Sequence, residues 1–193
     1  MNVQEAINRR RAYRSLAPVT ITDDLIKDLA HSTQIAPSCA NKQPWQYIFI
    51  HDKQKLEQVF TTLSSGNRWI EKASMMIAVL SKPEADCIIK ERKYYLFDTG
   101  LATAQLILRA TELGLVAHPI AGFNEEKAKE ILNIPAEMRL ITFVNIGKHS
   151  EEINPVLSDD MKLGEKQRPP RKPLEEFIFR NEYKNKFKPS NND

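Results

Sequence analysis

The sequence predicts one domain in which β-strands alternate with α-helices. Its 193 residues are enough for a domain with its own core, or for a subunit that completes its core with a partner. The apolar run at residues 75–80 indicates a buried strand, and the apolar residues of 94–113 repeat at helical spacing. Since no linker or repeat divides the chain, we predict a single domain over residues 1–193.

The N-terminal elements follow from apolar spacing and capping residues. A first helix begins near Val3 and runs into the basic segment 9–11. A second helix should begin after Thr22, a residue type that caps helix N-termini, and Pro37 ends it. Aromatic and β-branched residues then predict a strand at 47–50.

The middle of the chain contains the elements with the strongest pattern. A third helix is predicted around residues 56–63, ahead of the buried strand 75–80. The helix at 94–113 should be the central core helix, and Gly114 stands where a C-terminal cap belongs.

The C-terminal part begins with a short helix at 124–132, capped by an asparagine, and a third strand at 140–146. From about residue 150 the chain is charged and contains prolines. It ends in an aromatic segment that we expect to pack against another surface, because apolar groups gain nothing by staying in water. The apolar residues of this segment are Phe177, Ile178, Phe179, Tyr183 and Phe187.

Composition excludes several classes of function. The net charge is only +3, from 28 basic and 25 acidic residues, so nucleic acid is not expected as a partner. The longest apolar run is far too short to cross a bilayer, so no membrane partner is expected. Cys39 and Cys87 make no disulfide framework, and no secretory signal is visible, which together predict a reducing, cytoplasmic location.

The most informative segment is the polar loop at residues 36–45, which we call the amide loop. Pro37 and Pro44 fix their own φ angles and favour extended geometry in the preceding residue, so the loop is stiff. Its uncharged hydrogen-bonding side chains are Ser38, Asn41 and Gln43. Such groups suit a planar heteroaromatic ligand. The loop alone fits equally well a stiff connection whose polar groups cap neighbouring elements.

Any phosphate must be bound by side chains, because the six glycines form neither a G-x-G-x-x-G turn nor a P-loop. Arginine suits this task, since its planar guanidinium makes paired, charge-assisted hydrogen bonds to phosphate. The candidates lie near the two ends of the chain: Arg10, Arg11 and Arg14, and Arg168 with Arg171. A solvated charged surface remains an alternative for either group.

Other residue types indicate neither a metal site nor hydrolase chemistry. The four histidines lack the close spacing of metal ligands, and no G-x-S-x-G motif is present. Cys39 is a candidate nucleophile, but no basic partner for it is visible, and cysteines are more often packed residues. We therefore predict no metal.

Four ordered segments resemble the FMN-dependent nitroreductase family, over nearly the whole chain. The amide loop is the most specific of them, because the family typically has a Ser and an Asn there in a proline-bounded loop that ends in Gln-Pro-Trp. The other three are Ile7-x-x-Arg10-Arg11-Ala12-Tyr13-Arg14, Pro119-Ile120-Ala121-Gly122-Phe123 and Pro170-Arg171-Lys172-Pro173-Leu174. The chain departs from the family at Ala12, where a serine is usual, and at Ala121, where some members have a glutamate.

The resemblance implies an α+β fold with a central, mostly antiparallel sheet flanked by helices. It also implies an intertwined homodimer with two FMN molecules at the interface. In such dimers the C-terminal arm, here about 165–193, crosses onto the other subunit, which would cover its aromatic residues.

The resemblance further implies an FMN site. Arg10, Arg14 and Arg171 would bind the phosphate, with Arg11 nearby and Arg168 included only on charge and proximity. The residues facing the ribityl chain and the ring would be Pro37, Ser38, Cys39, Asn41 and Gln43, together with Asn67 of the partner subunit. The backbone of Pro119, Ile120, Ala121 and Gly122 would lie beside the N5 and O4 edge of the flavin.

The implied activity is hydride transfer from NADH or NADPH to FMN, followed by reduction of a nitroaromatic or quinone in a ping-pong sequence. No protein acid or base is obligatory for it. Two alternatives stay open. One is a specialised relative that dehalogenates, dehydrogenates or degrades a flavin, and the other is a non-catalytic flavin-binding dimer.

Overall fold

The computed structural model describes residues 1–187, and residues 188–193 of the predicted arm lie outside that part. The helices are α1 (Val3–Arg9), α2 (Asp23–Gln34), α3 (Lys53–Phe60), α4 (Tyr95–Glu112), α5 (Glu125–Leu132) and α6 (Asp159–Lys166). The strands are β1 (Leu16–Ala17), β2 (Gln46–Ile50), β3 (Met75–Ser81), β4 (Ile88–Ile89), β5 (Arg92–Lys93), β6 (Leu115–Ile120) and β7 (Arg139–His149).

The strands β3 and β7 form the centre of a five-stranded sheet. β7 pairs with β3 and β6, β2 pairs with β3, and β1 pairs with the end of β7. Each of these pairings is antiparallel. A separate ribbon is made of β4 and β5. The predicted α+β fold, with a mostly antiparallel sheet flanked by helices, is confirmed.

Alternate side chains of β3 contribute to two hydrophobic cores, one on each face of the sheet. Met75, Ile77 and Val79 pack in one core with Leu29 of α2 and Leu106 of α4. The other core includes Met76, Ala78, Leu80, Trp69 and Phe143. The predicted central helix is therefore confirmed, because α4 contributes fully buried side chains to the first core.

Capping explains where several helices begin and end. The Thr22 side chain accepts a hydrogen bond from the backbone N–H of Leu25, and Asn124 caps α5 in the same way. Gly114 follows α4 with a φ of 75°, which suits glycine. The predicted boundaries of α2, α4 and α5 agree with these caps to within a few residues.

Two elements that shape the site, β6 and α6, were not predicted. Pro119 lacks a backbone donor, which is unfavourable within a sheet, but β6 is an edge strand and tolerates it because it pairs only with β7. Gly164 is a poor helix former within α6, and the buried residue of this helix is the polar Glu165, so the helix lacks a periodic apolar pattern. The capping residue Ser158 and two following aspartates were the available signal.

The longest described helix is α4, with 18 residues. Neither it nor any other helix within residues 1–187 has the length and apolar character needed to cross a membrane.

The described part of the C-terminal arm forms a short hairpin. The backbone N–H of Phe187 donates to the carbonyl of Ile178 at 2.9 Å. Phe179 stacks on Tyr183 with 4.5 Å between the ring centroids. Tyr183 is nevertheless 85% exposed, and Phe177 is 55% exposed. Packing of this arm on a second copy stays a prediction, and exposed aromatic surface of this kind favours it.

Candidate functional site

Arginines from the two ends of the chain meet at the end of α1. The Arg168 guanidinium donates from Nη2 to the carbonyls of Asn8 at 2.6 Å and Arg10 at 2.9 Å. Burial lowers the pKa of Arg10, and the positive charges of Arg168 and Arg171 lower it further. The structure therefore brings Arg10, Arg168 and Arg171 together.

Arg14 lies near the same place, because its charge and that of Arg10 both act on the buried His118 of β6. The His118 side chain is only 7% exposed, and its Nδ1 donates to the carbonyl of Tyr13 at 3.0 Å. Burial lowers the pKa of His118 to about 4, and the charges of Arg14 and Arg10 contribute to the shift. The imidazole is therefore neutral at pH 7. We call Arg10, Arg14, Arg168 and Arg171 the arginine cluster.

Glu165 fixes the backbone that carries Arg14. Its buried carboxylate accepts hydrogen bonds from the backbone N–H groups of Arg14 and Ser15, both at 2.9 Å. Arg11 contacts the C-terminal end of α6, which also carries Glu165. Its Nη2 donates to the carbonyl of Gly164 at 2.6 Å. Arg11 thus satisfies a carbonyl at the end of α6, and its role in phosphate binding stays a prediction.

The carboxylate of Glu165 lies beside the arginine cluster, but it accepts hydrogen bonds from backbone N–H groups and pairs with none of the four guanidinium groups. Among residues 1–187, none of the cluster's four members forms a salt bridge. Like charges placed together repel one another, and a bound anion would remove this repulsion. A phosphate monoester fits the cluster, because it supplies negative charge and oxygen acceptors for several guanidinium groups at once.

The end of β6 and the turn that follows it, together residues 119–122, lie against the segment before Trp69. The carbonyl of Gly122 accepts hydrogen bonds from Asn67 Nδ2 at 2.9 Å and from the backbone N–H of Ser64 at 3.0 Å. Ala121 is exposed at the tip of this turn. Asn67 therefore belongs with Gly122 of its own chain, and its position relative to the amide loop of a partner stays a prediction.

A side chain at Gly122 would force two neighbouring side chains to move. A Cβ there would lie 2.5 Å from Ser64 Oγ and 2.7 Å from Asn67 Nδ2. We expect Gly122→Ala to lower the free energy of unfolding by about 1–3 kcal/mol, as overpacking typically does. Urea denaturation measures the change. Gly66→Ala is the matched control, because nothing lies within 4 Å of a Cβ at Gly66. Equal stability of the two variants would contradict the close packing at Gly122.

The amide loop has an unusual backbone. Ala40, Asn41 and Gln43 have φ values of 48°, 54° and 49°, a region that residues with side chains rarely adopt. The Ser38 hydroxyl accepts a hydrogen bond from the backbone N–H of Gln43 at 2.9 Å, and Gln43 Nε2 donates to Asn41 Oδ1 at 3.1 Å. Asn41 and Gln43 are exposed, so the loop presents preformed amide groups to solvent.

Three contacts attach this loop to the rest of the chain. The backbone N–H of Cys39 donates to Asp98 Oδ2 at 2.6 Å, and the Ser81 hydroxyl donates to the carbonyl of Pro44 at 2.9 Å. A disulfide joins Cys39 to Cys87. The expectation that the two cysteines form no disulfide framework is corrected to this extent, since they form one bond. With its sulfur bonded, Cys39 offers no free thiol as a nucleophile in this state.

The amide loop and the arginine cluster of one chain lie at opposite corners of the sheet. The loop leads into Gln46 of β2, which is aligned through Leu80 of β3 with Leu140, near the start of β7. His118, which lies beside the arginine cluster, is paired with Asn145, five residues further along β7. Two strands separate β2 from β6, so the backbone positions of Gln46 and His118 are about 14 Å apart across the sheet and about 17 Å apart along it.

Three side chains that support the candidate site were not singled out from the sequence. They are His118, Glu165 and Asp98. An acid within the apolar helix α4 was a usable signal for Asp98, which is buried. No comparable signal marked His118 or Glu165, because their burial depends on how β6 and α6 pack.

Comparison with known sequences identifies relatives of the chain. A sequence profile of the nitroreductase family matches residues 7–148. A candidate NADH dehydrogenase/NAD(P)H nitroreductase of Archaeoglobus fulgidus is 28% identical over 162 residues, covering 80% of this chain and 89% of its own. A candidate NAD(P)H nitroreductase of Bacillus subtilis is 24% identical over 204 residues, covering 88% of this chain and 94% of its own.

Solved structures agree in fold. One described as an oxidoreductase containing FMN matches with a TM-score of 0.82 and 25% identity, covering 96% of this chain and 95% of its own. A nitroreductase family protein from Clostridium difficile matches with a TM-score of 0.76 and 22% identity, covering 94% of this chain and 99% of its own. The shared architecture and the profile match together show that this chain belongs to the nitroreductase family.

Proposed function

We propose that this chain is an FMN-dependent oxidoreductase that uses NADH or NADPH to reduce nitroaromatic or quinone-type acceptors. The observation that carries the proposal is the arginine cluster, in which four cations from both ends of the chain lack salt-bridge partners within residues 1–187. When bound, FMN would supply the hydride chemistry. Donor and acceptor would use one place in turn, giving ping-pong kinetics.

The chain's own residues would bind and orient the cofactor. Arg10, Arg14 and Arg171 would donate charge-assisted hydrogen bonds to the phosphate. Arg168 would keep Arg10 in position through its bond to the Arg10 carbonyl. His118, neutral and hydrogen-bonded to the Tyr13 carbonyl, would support the segment between Arg10 and Arg14 without adding charge.

The flavin ring would lie between the two halves of the site. Asn41 and Gln43 would offer amide groups to the ring and the ribityl chain. The turn at residues 119–122 would face the ring from the other side, where the exposed Ala121 leaves its backbone accessible. The carbonyl of Gly122 already accepts two hydrogen bonds, so this turn is held in place before a ligand binds.

We further propose that the complete site needs a homodimer. Two strands separate the amide loop of one chain from its own arginine cluster, and we propose that the loop beside the ring comes from the second copy. Exposed apolar residues support this arrangement: Val3 of α1 is 72% exposed, and Phe97 of α4 is 63% exposed. A two-fold dimer would contain two equivalent sites.

The C-terminal arm would strengthen this dimer. Ending the chain before Phe177 should raise the dimer dissociation constant by about tenfold or more, because a buried aromatic side chain contributes about 1.5–3 kcal/mol. Sedimentation measures the change. The full-length double variant Phe177→Ser with Tyr183→Ser should show the same trend, which separates aromatic packing from chain length. A truncated form that stays as tight a dimer as the wild type would contradict arm exchange.

Anaerobic titration of the purified, FMN-loaded protein tests the activity. We expect NADPH or NADH to bleach the flavin absorbance band, and a nitroaromatic or quinone to restore it. A colourless protein that takes up no added FMN would contradict the proposal. Bound FMN that neither nicotinamide can bleach would instead indicate a non-catalytic dimer, and turnover confined to halophenols would indicate a specialised relative.

A further inference from the structure

A buried carboxyl group lies beside the disulfide that holds the amide loop. The Sγ atoms of Cys39 and Cys87 and a carboxylate oxygen of Asp86 all lie within 4.8 Å of one another. Asp86 is only 7% exposed, and its Oδ1 accepts a hydrogen bond from the backbone N–H of Cys87 at 2.7 Å. Its Oδ2 makes no hydrogen bond to any group of residues 1–187.

We propose that Cys39 and Cys87 form a redox-active disulfide that external dithiols reduce, and that Asp86 donates the proton to the departing sulfur. A buried carboxyl with a free oxygen is expensive to keep ionised. Next to a disulfide it can be used as an acid, because reduction of the bond creates a thiolate that needs a proton.

The reaction balances in two steps. A thiolate of the dithiol attacks one protein sulfur, the S–S bond breaks, and the electron pair goes to the other protein sulfur, which takes the Asp86 proton. The second thiolate of the reductant then attacks the mixed disulfide and releases the remaining cysteine, which takes a proton from water. The dithiol has lost two electrons and two protons, the protein has gained two thiols, and Asp86 is reprotonated from water.

The charges around Asp86 favour its protonated form. Burial raises the pKa of Asp86, and the nearby carboxylate of Asp98, on α4, raises it further. The hydrogen bond from the backbone N–H of Cys87 and the positive charge of Lys42 oppose this shift, but the direction of the whole is upward. The carboxyl group therefore keeps its proton to a higher pH than an exposed aspartic acid does, which an acid that serves a thiolate requires.

The redox state of the Cys39–Cys87 disulfide should control the conformation of the amide loop. Three residues of that loop have left-handed φ values, a strained conformation that persists only when surrounding contacts enforce it. Reduction removes the covalent contact and leaves the hydrogen bonds at Cys39 and Pro44. Reduction of the disulfide should therefore weaken FMN binding about fivefold, equivalent to about 1 kcal/mol. This expectation rests on the proposed function.

Thiol titration of the oxidised, folded protein tests the chemistry without any flavin. We expect no free thiol before treatment with dithiothreitol and two afterwards, without denaturant. Asp86→Asn should be reduced about a hundredfold more slowly, the low end for loss of a general acid. We divide each reduction rate by the concentration of dithiothreitol thiolate at that pH. The resulting rate constant should fall for the wild type as rising pH ionises Asp86, and it should stay constant for Asp86→Asn. Glu84→Gln, at an exposed acid of the same segment, should match the wild type.

Several results would overturn the proposal. They are two free thiols after oxidation, reduction only in denaturant, or an Asp86→Asn variant with the wild-type rate and pH profile. If circular dichroism shows that Asp86→Asn is unfolded, Asp98→Asn replaces it. That change removes a charge that raises the Asp86 pKa, so the fall in rate should move to lower pH, and an unmoved profile overturns the role of Asp86.

FMN titration of the oxidised and reduced forms tests the loop. The double variant Cys39→Ser with Cys87→Ser should behave like the reduced protein. Equal FMN affinity in both redox states would overturn control of the loop by the disulfide. A protein that shows the predicted thiol chemistry but binds no FMN in either state would contradict the proposed function and leave the disulfide chemistry intact.

Discussion

Replacing Arg10 or Arg171 with alanine should weaken FMN binding by about 10- to 150-fold, since a hydrogen bond to a charged group contributes about 1.5–3 kcal/mol. Arg10 is half-buried and should give the larger loss, while the exposed Arg171 should give a loss near the lower limit. Quenching of flavin fluorescence on binding measures both dissociation constants.

Riboflavin is the control ligand, because it has the same ring and ribityl chain but no phosphate. Both variants should bind riboflavin as the wild type does, so the loss should be confined to the phosphate. Arg92→Ala, at an exposed arginine of β5, is the control variant and should retain wild-type FMN affinity. Unchanged FMN affinity in both Arg10→Ala and Arg171→Ala would contradict the phosphate assignment. If riboflavin binding weakens to the same extent, the substitution affects binding of the ring or the ribityl chain and not of the phosphate.

Acid should destabilise the protein through His118. In the unfolded chain this histidine takes up a proton near pH 6.5, but in the folded protein it does so only near pH 4. The unfolded state therefore binds more protons between these values, so the free energy of unfolding falls as the pH falls through that window. The complete loss is about 3 kcal/mol, reached below the folded pKa.

Urea denaturation at pH 7 and at pH 4.5 tests this dependence. His118→Asn carries no titrating ring, so its stability should fall less between the two pH values than that of the wild type, by about 2–3 kcal/mol. Carboxyl groups titrate in the same range, and comparing the two proteins removes their contribution. His31→Asn, at an exposed histidine of α2, should keep the wild-type dependence. Equal acid sensitivity of the wild type and His118→Asn would contradict a buried neutral imidazole.

The fold was predictable where local chemistry and tertiary contacts agree. Thr22 and Gly114 mark helix ends with their own side chain or φ angle, and β3 is apolar at every position that two cores require. Pro119 and Gly164 are locally unfavourable in a strand and a helix. They are tolerated because β6 is an edge strand and because Glu165 binds the backbone of Arg14, and neither fact can be read from a local pattern.

The residues of the candidate site could be proposed from the sequence, but their arrangement could not. The order of the arginines and the amide loop pointed to one phosphate and one ring. Their distance within a chain depends on the positions of β2 and β6 in the sheet, which the sequence pattern does not specify. The disulfide was equally hidden, because its cysteines are 48 residues apart and become neighbours only in the folded chain.

The most direct test of a site shared by two copies is a crystal structure of the dimer with FMN bound. We predict that the phosphate lies within hydrogen-bond distance of Arg10 and Arg171 of one subunit, while the ring lies beside the amide loop of the other. A phosphate bound away from both arginines would contradict the account. So would a ring that contacts the amide loop and the arginine cluster of the same chain.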